Sequence, residues 1–173
     1  MTSIWYSLAA YTQQTIQGLN LPLDAARTLP PEMVYLRRLV IDRDVTTPCI
    51  IVAPFGAEQQ LEGDNRNLEV VYPVIVGILV ASNQDYDLRD LDLTWRELIQ
   101  NAMSEFPVPS SQQLGLDGVN ISRCELIPQE VTDLEAWRER NLTAGSLLFH
   151  YHTNRYRKGV KSARAKTTDQ QSR

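Results

Sequence analysis

The chain has 173 residues, of which 43% are hydrophobic and 22% charged, and its formal net charge is −4. This length suits one domain, and the composition excludes a chain that is disordered as a whole. The longest apolar run, 70–81, is too short for a membrane-spanning helix, and the first residues lack the basic and apolar regions of a signal peptide. We therefore expect a folded protein made in a cytosol, with no membrane partner.

The first helix and the first two strands are predicted from local spacing. Apolar side chains recur with helical period over Ile4–Ile16, and Gly18 follows as a stop signal. Met33–Ile41 and the β-branched run Cys49–Pro54 each predict a strand. The polar segment 57–67, which contains Gly and Asn, predicts a loop.

The strongest strand signal is Glu69–Ala81, which is apolar on both faces. Pro73 lies inside it and lacks a backbone N–H, so we expect a bulge or an unpaired edge there. Leu88–Phe106 has the clearest amphipathic helical spacing of the chain. Three further segments are predicted as a strand, a short helix or irregular crossover, and a closing strand: Val119–Pro128, Glu130–Arg140 and Gly145–Thr153.

These elements predict the fold class. Amphipathic helices must bury their apolar stripes against the sheet, which gives a two-layer α+β domain. We expect a mostly antiparallel sheet of four to five strands, with the N-terminal helix and a long central helix packed on it. Consecutive strands favour antiparallel pairing.

The charge is unevenly distributed. Residues 155–173 hold seven Lys and Arg and one Asp, a net charge of +6, whereas residues 1–154 hold ten Lys and Arg and twenty Asp and Glu, a net charge of −10. The basic segment has no apolar periodicity, which predicts a flexible tail after a single domain at 1–154. An acidic domain argues against a DNA-gripping fold. The tail's partner stays open between a neighbouring subunit and nucleic acid.

No catalytic or metal-binding motif is recognisable, so we expect neither an enzyme nor a cofactor. His150 and His152 project from one face of a predicted strand, but the chain has no third histidine to complete a metal site. The aspartates at 85–92 do not match a calcium loop and suit a helix N-terminus instead. Cys49 and Cys124 lie in apolar stretches and are expected to be buried free thiols. A hydrolase with two catalytic carboxylates stays an alternative.

The order of elements resembles the tail-terminator and tail-completion proteins of tailed bacteriophages. The segments that carry the resemblance are the N-terminal helix, Tyr35-Leu36-Arg37-Arg38, the strand 48–54, the strand 69–80, the helix with Trp95 and the strand 146–153. The resemblance implies a virion neck protein that forms a ring, usually a hexamer, with no catalytic residues. Its implied partners are itself, the tail tube protein and the head connector, with DNA passing through the lumen without specific binding.

Polarity and loop position select the candidate subunit contacts. They are Tyr35, Arg37, Arg38, Glu58, Arg66, His150, His152, Arg155 and Arg157. An acidic domain also suits a ring that does not grip phosphates. Three alternatives remain: a head-completion or connector adaptor, a small ligand-binding or hydrolytic α+β domain, and a nucleic-acid adaptor that acts through the basic tail.

Overall fold

A computed structural model describes residues 3–38, 44–61, 67–81, 89–105, 108–116, 119–128 and 142–156. Within these residues the protein is an α+β fold of two α-helices and one six-stranded sheet. In chain order the elements are α1 (Ile4–Gln17), a 3-10 helix (Pro31–Met33), β1 (Val34–Leu36), β2 (Cys49–Pro54), β3 (Gln59–Leu61), β4 (Asn67–Ala81), α2 (Arg89–Glu105), β5 (Val119–Ile127) and β6 (Leu142–Tyr156).

The sheet is mixed and larger than predicted. Its strand order is β1-β2-β4-β6-β5, and β3 pairs with β4 beyond the end of β2. β1 and β2 are parallel, whereas the other pairs are antiparallel. The expectation of four to five strands was therefore wrong, as was antiparallel pairing of the first two. Residues 37–48 provide the connection of roughly a dozen residues that a parallel pair needs.

β3 is the strand that the sequence did not predict. It lies within the segment 57–67, which we had expected to be a loop, and its residues Gln59, Gln60 and Leu61 are all exposed. A strand with no buried face carries no hydrophobic alternation, so its sequence gives no periodic signal. β1 is shorter than predicted and ends at Leu36, and residues 39–43 lie outside the described part of the chain.

Pro73 lies where β4 changes partner from β2 to β3. Val74 is the last β4 residue paired with β2, and Val71 is the first paired with β3. The Pro73 carbonyl accepts a hydrogen bond from the Phe55 N–H at 3.0 Å. Because both backbone groups of a strand residue point the same way, the missing N–H of Pro73 also faces this gap between partners. The proline therefore removes no ladder hydrogen bond to β6.

Both helices pack on one face of the sheet and form the main core with it. α1 contacts β1, β2 and β4, whereas α2 contacts β4, β5 and β6. An N-terminal and a central helix were expected, but they have 14 and 17 residues, so the central helix is not the distinctly long one that we predicted. Fully buried side chains of this core include Leu8, Ile50, Trp95 and Phe149.

Polar contacts fix the helices on the sheet. The hydroxyls of Thr12 in α1 and Tyr151 in β6 lie 2.7 Å apart in the core. From α2, Trp95 Nε1 donates to the Pro22 carbonyl at 2.6 Å, and Arg96 Nη1 donates to the Ser146 carbonyl at 2.6 Å. Burial lowers the pKa of Arg96, which Asp92 partly offsets. The length and hydropathy of the helices in the described residues do not suit either of them to crossing a bilayer.

Candidate interaction surfaces

A charged cluster lies on the face of the sheet opposite the helices. Tyr151 and Thr153 of β6 face the helical core, so the alternation of a strand places His152 on the opposite face. His152 stands across from Val71 of β4 and from Arg123 of β5. The predicted contact residue His152 is therefore enclosed by its own sheet, and only 5% of it is exposed.

The two ring nitrogens of His152 face different carboxylates. Nδ1 lies 2.8 Å from Glu69 Oε1, and Arg123 Nη2 lies 3.4 Å from the same nitrogen. Nε2 lies 3.3 Å from Glu125 Oε2. Its geometry does not form a hydrogen bond with that carboxylate or with any other described residue. Since the carboxylates approach opposite sides of the ring, they do not converge on one point where a metal ion would sit. The cluster thus links β4, β5 and β6 through polar contacts.

His150, the second predicted contact histidine, is half-buried on the same face and stands across from Pro73 and Glu125. Burial, followed by the charge of His152, lowers its pKa, against a smaller opposing effect of Glu125. Among the described residues, no three His, Cys, Asp or Glu side chains are grouped to hold a metal ion. The two histidines are thus placed together, as the strand alternation predicted.

Replacing Glu69 with glutamine is expected to lower the free energy of unfolding by about 1–2 kcal/mol, because the amide makes a weaker hydrogen bond to His152 Nδ1 than the carboxylate does. Glu125→Gln is the matched control. Its side chain is 51% exposed and its contact with His152 is longer, so we expect a change below about 0.5 kcal/mol. Urea unfolding monitored by circular dichroism measures both variants. Equal losses would contradict the assignment of Glu69 as the stronger partner.

Tyr35, Arg37 and Arg38 lie at the end of β1, at one edge of the sheet. The Arg37 N–H donates to the Val52 carbonyl at 2.9 Å, which extends the β1–β2 pairing by one hydrogen bond. The Arg37 guanidinium carbon lies 5.3 Å from the centre of the Tyr35 ring, a cation–π contact. Arg37 and Arg38 are exposed, whereas Tyr35 is half-buried against the small cluster of Cys49, Ile51 and Leu79.

These arginines line an open groove of about 670 Å³ between the start of α1 and the ends of β1 and β2. Trp5 and Tyr6 of α1 lie in its wall. Aromatic side chains were not predicted beside Arg37 and Arg38, because about thirty residues separate the two pairs along the chain. Only the packing of α1 against β1 and β2 brings them together.

The free edge at β3 is the third surface. The Pro73 carbonyl points to the side of β4 where β3 lies. Because the backbone groups of alternate residues in a strand point to the same side, those of Val71 and Glu69 also point toward β3, where these residues pair with Gln59 and Leu61. The backbone N–H and C=O of Gln60 therefore point away from β4. Glu58, a predicted contact residue, is exposed directly before this strand, and Phe55 is 47% exposed. β3 thus presents outward backbone groups at one edge of the described sheet, with the exposed apolar side chains of Leu61 in the strand and Phe55 before it.

The remaining predicted contact residues fall at or beyond the limits of the described chain. Arg66 and Arg157 lie outside it. The backbone of Arg155 pairs with Leu68 and Val119 within β6, which continues to Tyr156, two residues into the segment that we predicted as a tail. Residues 157–173 lie outside the described part, so the flexible tail stays a prediction.

The two cysteines are free thiols on different strands. Cys49 of β2 is buried, and Cys124 of β5 is half-buried. Burial raises the pKa of Cys49 to about 11 and that of Cys124 to about 12, the latter against a smaller opposing hydrogen bond with Tyr151. Thiols that stay protonated at neutral pH are poor nucleophiles and metal ligands. Their role in this fold is packing.

Comparison of the sequence with models of known protein families gave no match. A comparison with curated proteins likewise gave no relative.

Proposed function

We propose that this chain is a structural subunit of a tailed-bacteriophage neck, which assembles into a ring that terminates the tail tube and joins it to the head connector. The α+β fold and the order of its elements agree with the resemblance on which this proposal draws. Fold alone does not determine function, so the proposal needs a surface suited to assembly.

The free β3 edge carries the proposal. An exposed strand with outward backbone N–H and C=O groups is a template for pairing with another chain. Pairing of this kind gives main-chain hydrogen bonds, and the exposed Phe55 and Leu61 add apolar area beside them. The edge also lies within the segment 57–67, which holds the predicted contact residues Glu58 and Arg66.

A ring needs two different contact surfaces on each subunit. Head-to-tail contacts close into a ring when the rotation between neighbours divides the circle. β3 lies beside one side of β4, whereas β5 is the last strand on the other side, so these two strands lie at different edges of the described sheet. We assign β3 of one subunit to the β5 side of the next. The net charge of −10 over residues 1–154 suits a lumen that DNA passes without binding.

The test is the mass of the purified protein by light scattering, with negative-stain imaging of any large species. We expect closed rings with a central hole and a mass about six times the 19.7 kDa of one chain, as the usual ring size of the resembling family implies. A protein that keeps the mass of one chain at every concentration would contradict ring formation by the isolated subunit.

Gln60→Pro tests the edge itself. The substitution removes an N–H that points away from β4, so the fold of the subunit is expected to survive while ring formation is lost. Gln60→Ala is the matched control, because it removes the same side chain and keeps the N–H. Rings that form equally well from both variants would exclude β3 as the contact strand.

A further inference from the structure

The groove at the start of α1 is built from three elements, and contacts of Trp5 hold α1 on the sheet at its base. Trp5 Nε1 donates to the Pro73 carbonyl at 2.5 Å, and its ring meets the Tyr72 ring edge-on with centres 6.0 Å apart. These two contacts tie the first turn of α1 to the middle of β4. The same carbonyl accepts the Phe55 N–H, which fixes the chain directly after Pro54. Contacts within one chain therefore form the described groove.

The groove combines positive charge with apolar walls. Its described lining includes the exposed residues Arg37 and Arg38 and no carboxylate. Trp5, Tyr6, Leu36 and Pro54 supply the aromatic and aliphatic surface. On a domain with twice as many acidic as basic residues, this is a local region of opposite sign. A ligand that complements it carries negative charge beside an apolar side chain.

We propose that this groove binds an acidic segment of a partner protein, with an aromatic or large aliphatic side chain against Trp5 and Tyr6 and carboxylates on Arg37 and Arg38. A guanidinium holds a carboxylate through two parallel hydrogen bonds. Arg, Tyr and Trp are also the residues that most often dominate the binding energy of protein interfaces. The binding site lies within one subunit, so it is independent of the ring proposed above.

Nucleic acid fits the groove less well than an acidic peptide. Binding to a phosphate backbone depends on many cations along the path of the strand. The described groove offers two arginines, and the rest of residues 1–154 has a strong negative excess that repels a polyanion at long range. A short acidic segment of a protein carries less total charge and brings the apolar side chain that the walls match.

The test is fluorescence anisotropy with a labelled nonapeptide of glutamates around a central phenylalanine, added to the full chain at low ionic strength. We expect saturable binding that weakens about tenfold or more in the Arg37→Gln/Arg38→Gln variant. Tyr6→Ala, at a side chain that is 42% exposed, is expected to weaken binding about threefold. Both variants change exposed residues, and their thermal unfolding midpoints are expected to match that of the parent protein.

The matched control removes two exposed arginines elsewhere. Arg27→Gln/Arg123→Gln changes the net charge by the same amount, and these side chains are 77% and 62% exposed. We expect its peptide affinity to stay within about twofold of the parent protein, because neither residue lines the groove. Equal weakening by both double variants would overturn the proposal, since it would show only a general effect of charge.

Three other results would also overturn it. The first is the absence of saturable binding at millimolar peptide. The second is a single-stranded oligothymidylate that binds more tightly than the peptide and loses affinity in the Arg37→Gln/Arg38→Gln variant, which would assign the groove to nucleic acid. The third is a groove that does not bind the peptide, together with a lower mass of the assembled protein in the Arg37→Gln/Arg38→Gln variant. That result would make a second copy of this chain the occupant.

Discussion

Replacing Trp95 with alanine is expected to lower the free energy of unfolding by about 3–5 kcal/mol. The indole is fully buried between α2 and the sheet and is the largest of the fully buried side chains in the described core. The variant loses the apolar burial of the ring, leaves a cavity, and removes the donor to the Pro22 carbonyl. Because the stability of a domain is only about 5–15 kcal/mol, the loss is measurable as a large shift of the urea midpoint.

Leu98→Ala is the matched control on the same helix. Its side chain is 40% exposed, so we expect a change below about 0.5 kcal/mol. Trp95→Phe should fall between the two, because phenylalanine fills part of the cavity but cannot donate to Pro22. Similar losses in Trp95→Ala and Leu98→Ala would show that α2 is not anchored through this residue.

The second large effect is a loss of stability at alkaline pH. In the folded protein the pKa of Cys49 is raised to about 11 and that of Cys124 to about 12, from 9.0 for a free thiol. Burial, followed by the neighbouring Cys124, also raises the pKa of Tyr151 well above its ordinary value of 10.0. In each case the folded state keeps its proton at a pH where the unfolded state has lost it.

The sign of the effect follows from this difference in bound protons. Above pH 9 the unfolded chain binds fewer protons than the folded one, so the free energy of unfolding decreases as the pH rises. Each thiol contributes a slope of up to about 1.4 kcal/mol per pH unit between its unfolded and folded pKa values. We expect the urea midpoint to be nearly constant from pH 7 to 8 and to fall steeply between pH 9 and 11.

The Cys49→Ala/Cys124→Ala variant separates the thiols from other causes of alkaline unfolding. It is expected to be less stable at neutral pH, because small cavities form, but its stability should decrease less steeply above pH 9. The comparison therefore uses the slope of stability against pH and not its value. Identical slopes in the variant and the parent protein would contradict a role of the thiols.

Strong hydrophobic patterns predicted the elements of the core. The apolar run at Glu69–Ala81 became β4, and the amphipathic spacing after Leu88 became α2. β3 was missed because Gln59 and Gln60 have no buried face and hence no periodicity. The parallel β1–β2 pair was missed because strand direction depends on the path of the connection, which local spacing does not encode.

For the candidate sites, too, local sequence patterns did not predict which residues from distant parts of the chain lie together. The alternation of β6 predicted that His150 and His152 share a face, but not that Glu69, 83 residues away, lies against His152. Likewise, Arg37 and Arg38 stood out as a basic pair, whereas Trp5 and Tyr6 joined them only through the docking of α1. Residue type alone therefore pointed to the two histidines and the two arginines, whereas their partners from other elements could be identified only from the tertiary fold.

The pairing of Tyr156 with Asn67 has a practical consequence for anyone who handles this protein. β6 ends beside Asn67, the first residue of β4, and β3 pairs with Glu69–Val71 on the opposite side of β4. Strands two positions apart in a sheet are separated by about 10 Å. A tag or fusion joined directly after Tyr156 would thus begin close to the proposed assembly edge. Purification handles are better attached elsewhere, or removed by protease before masses are compared.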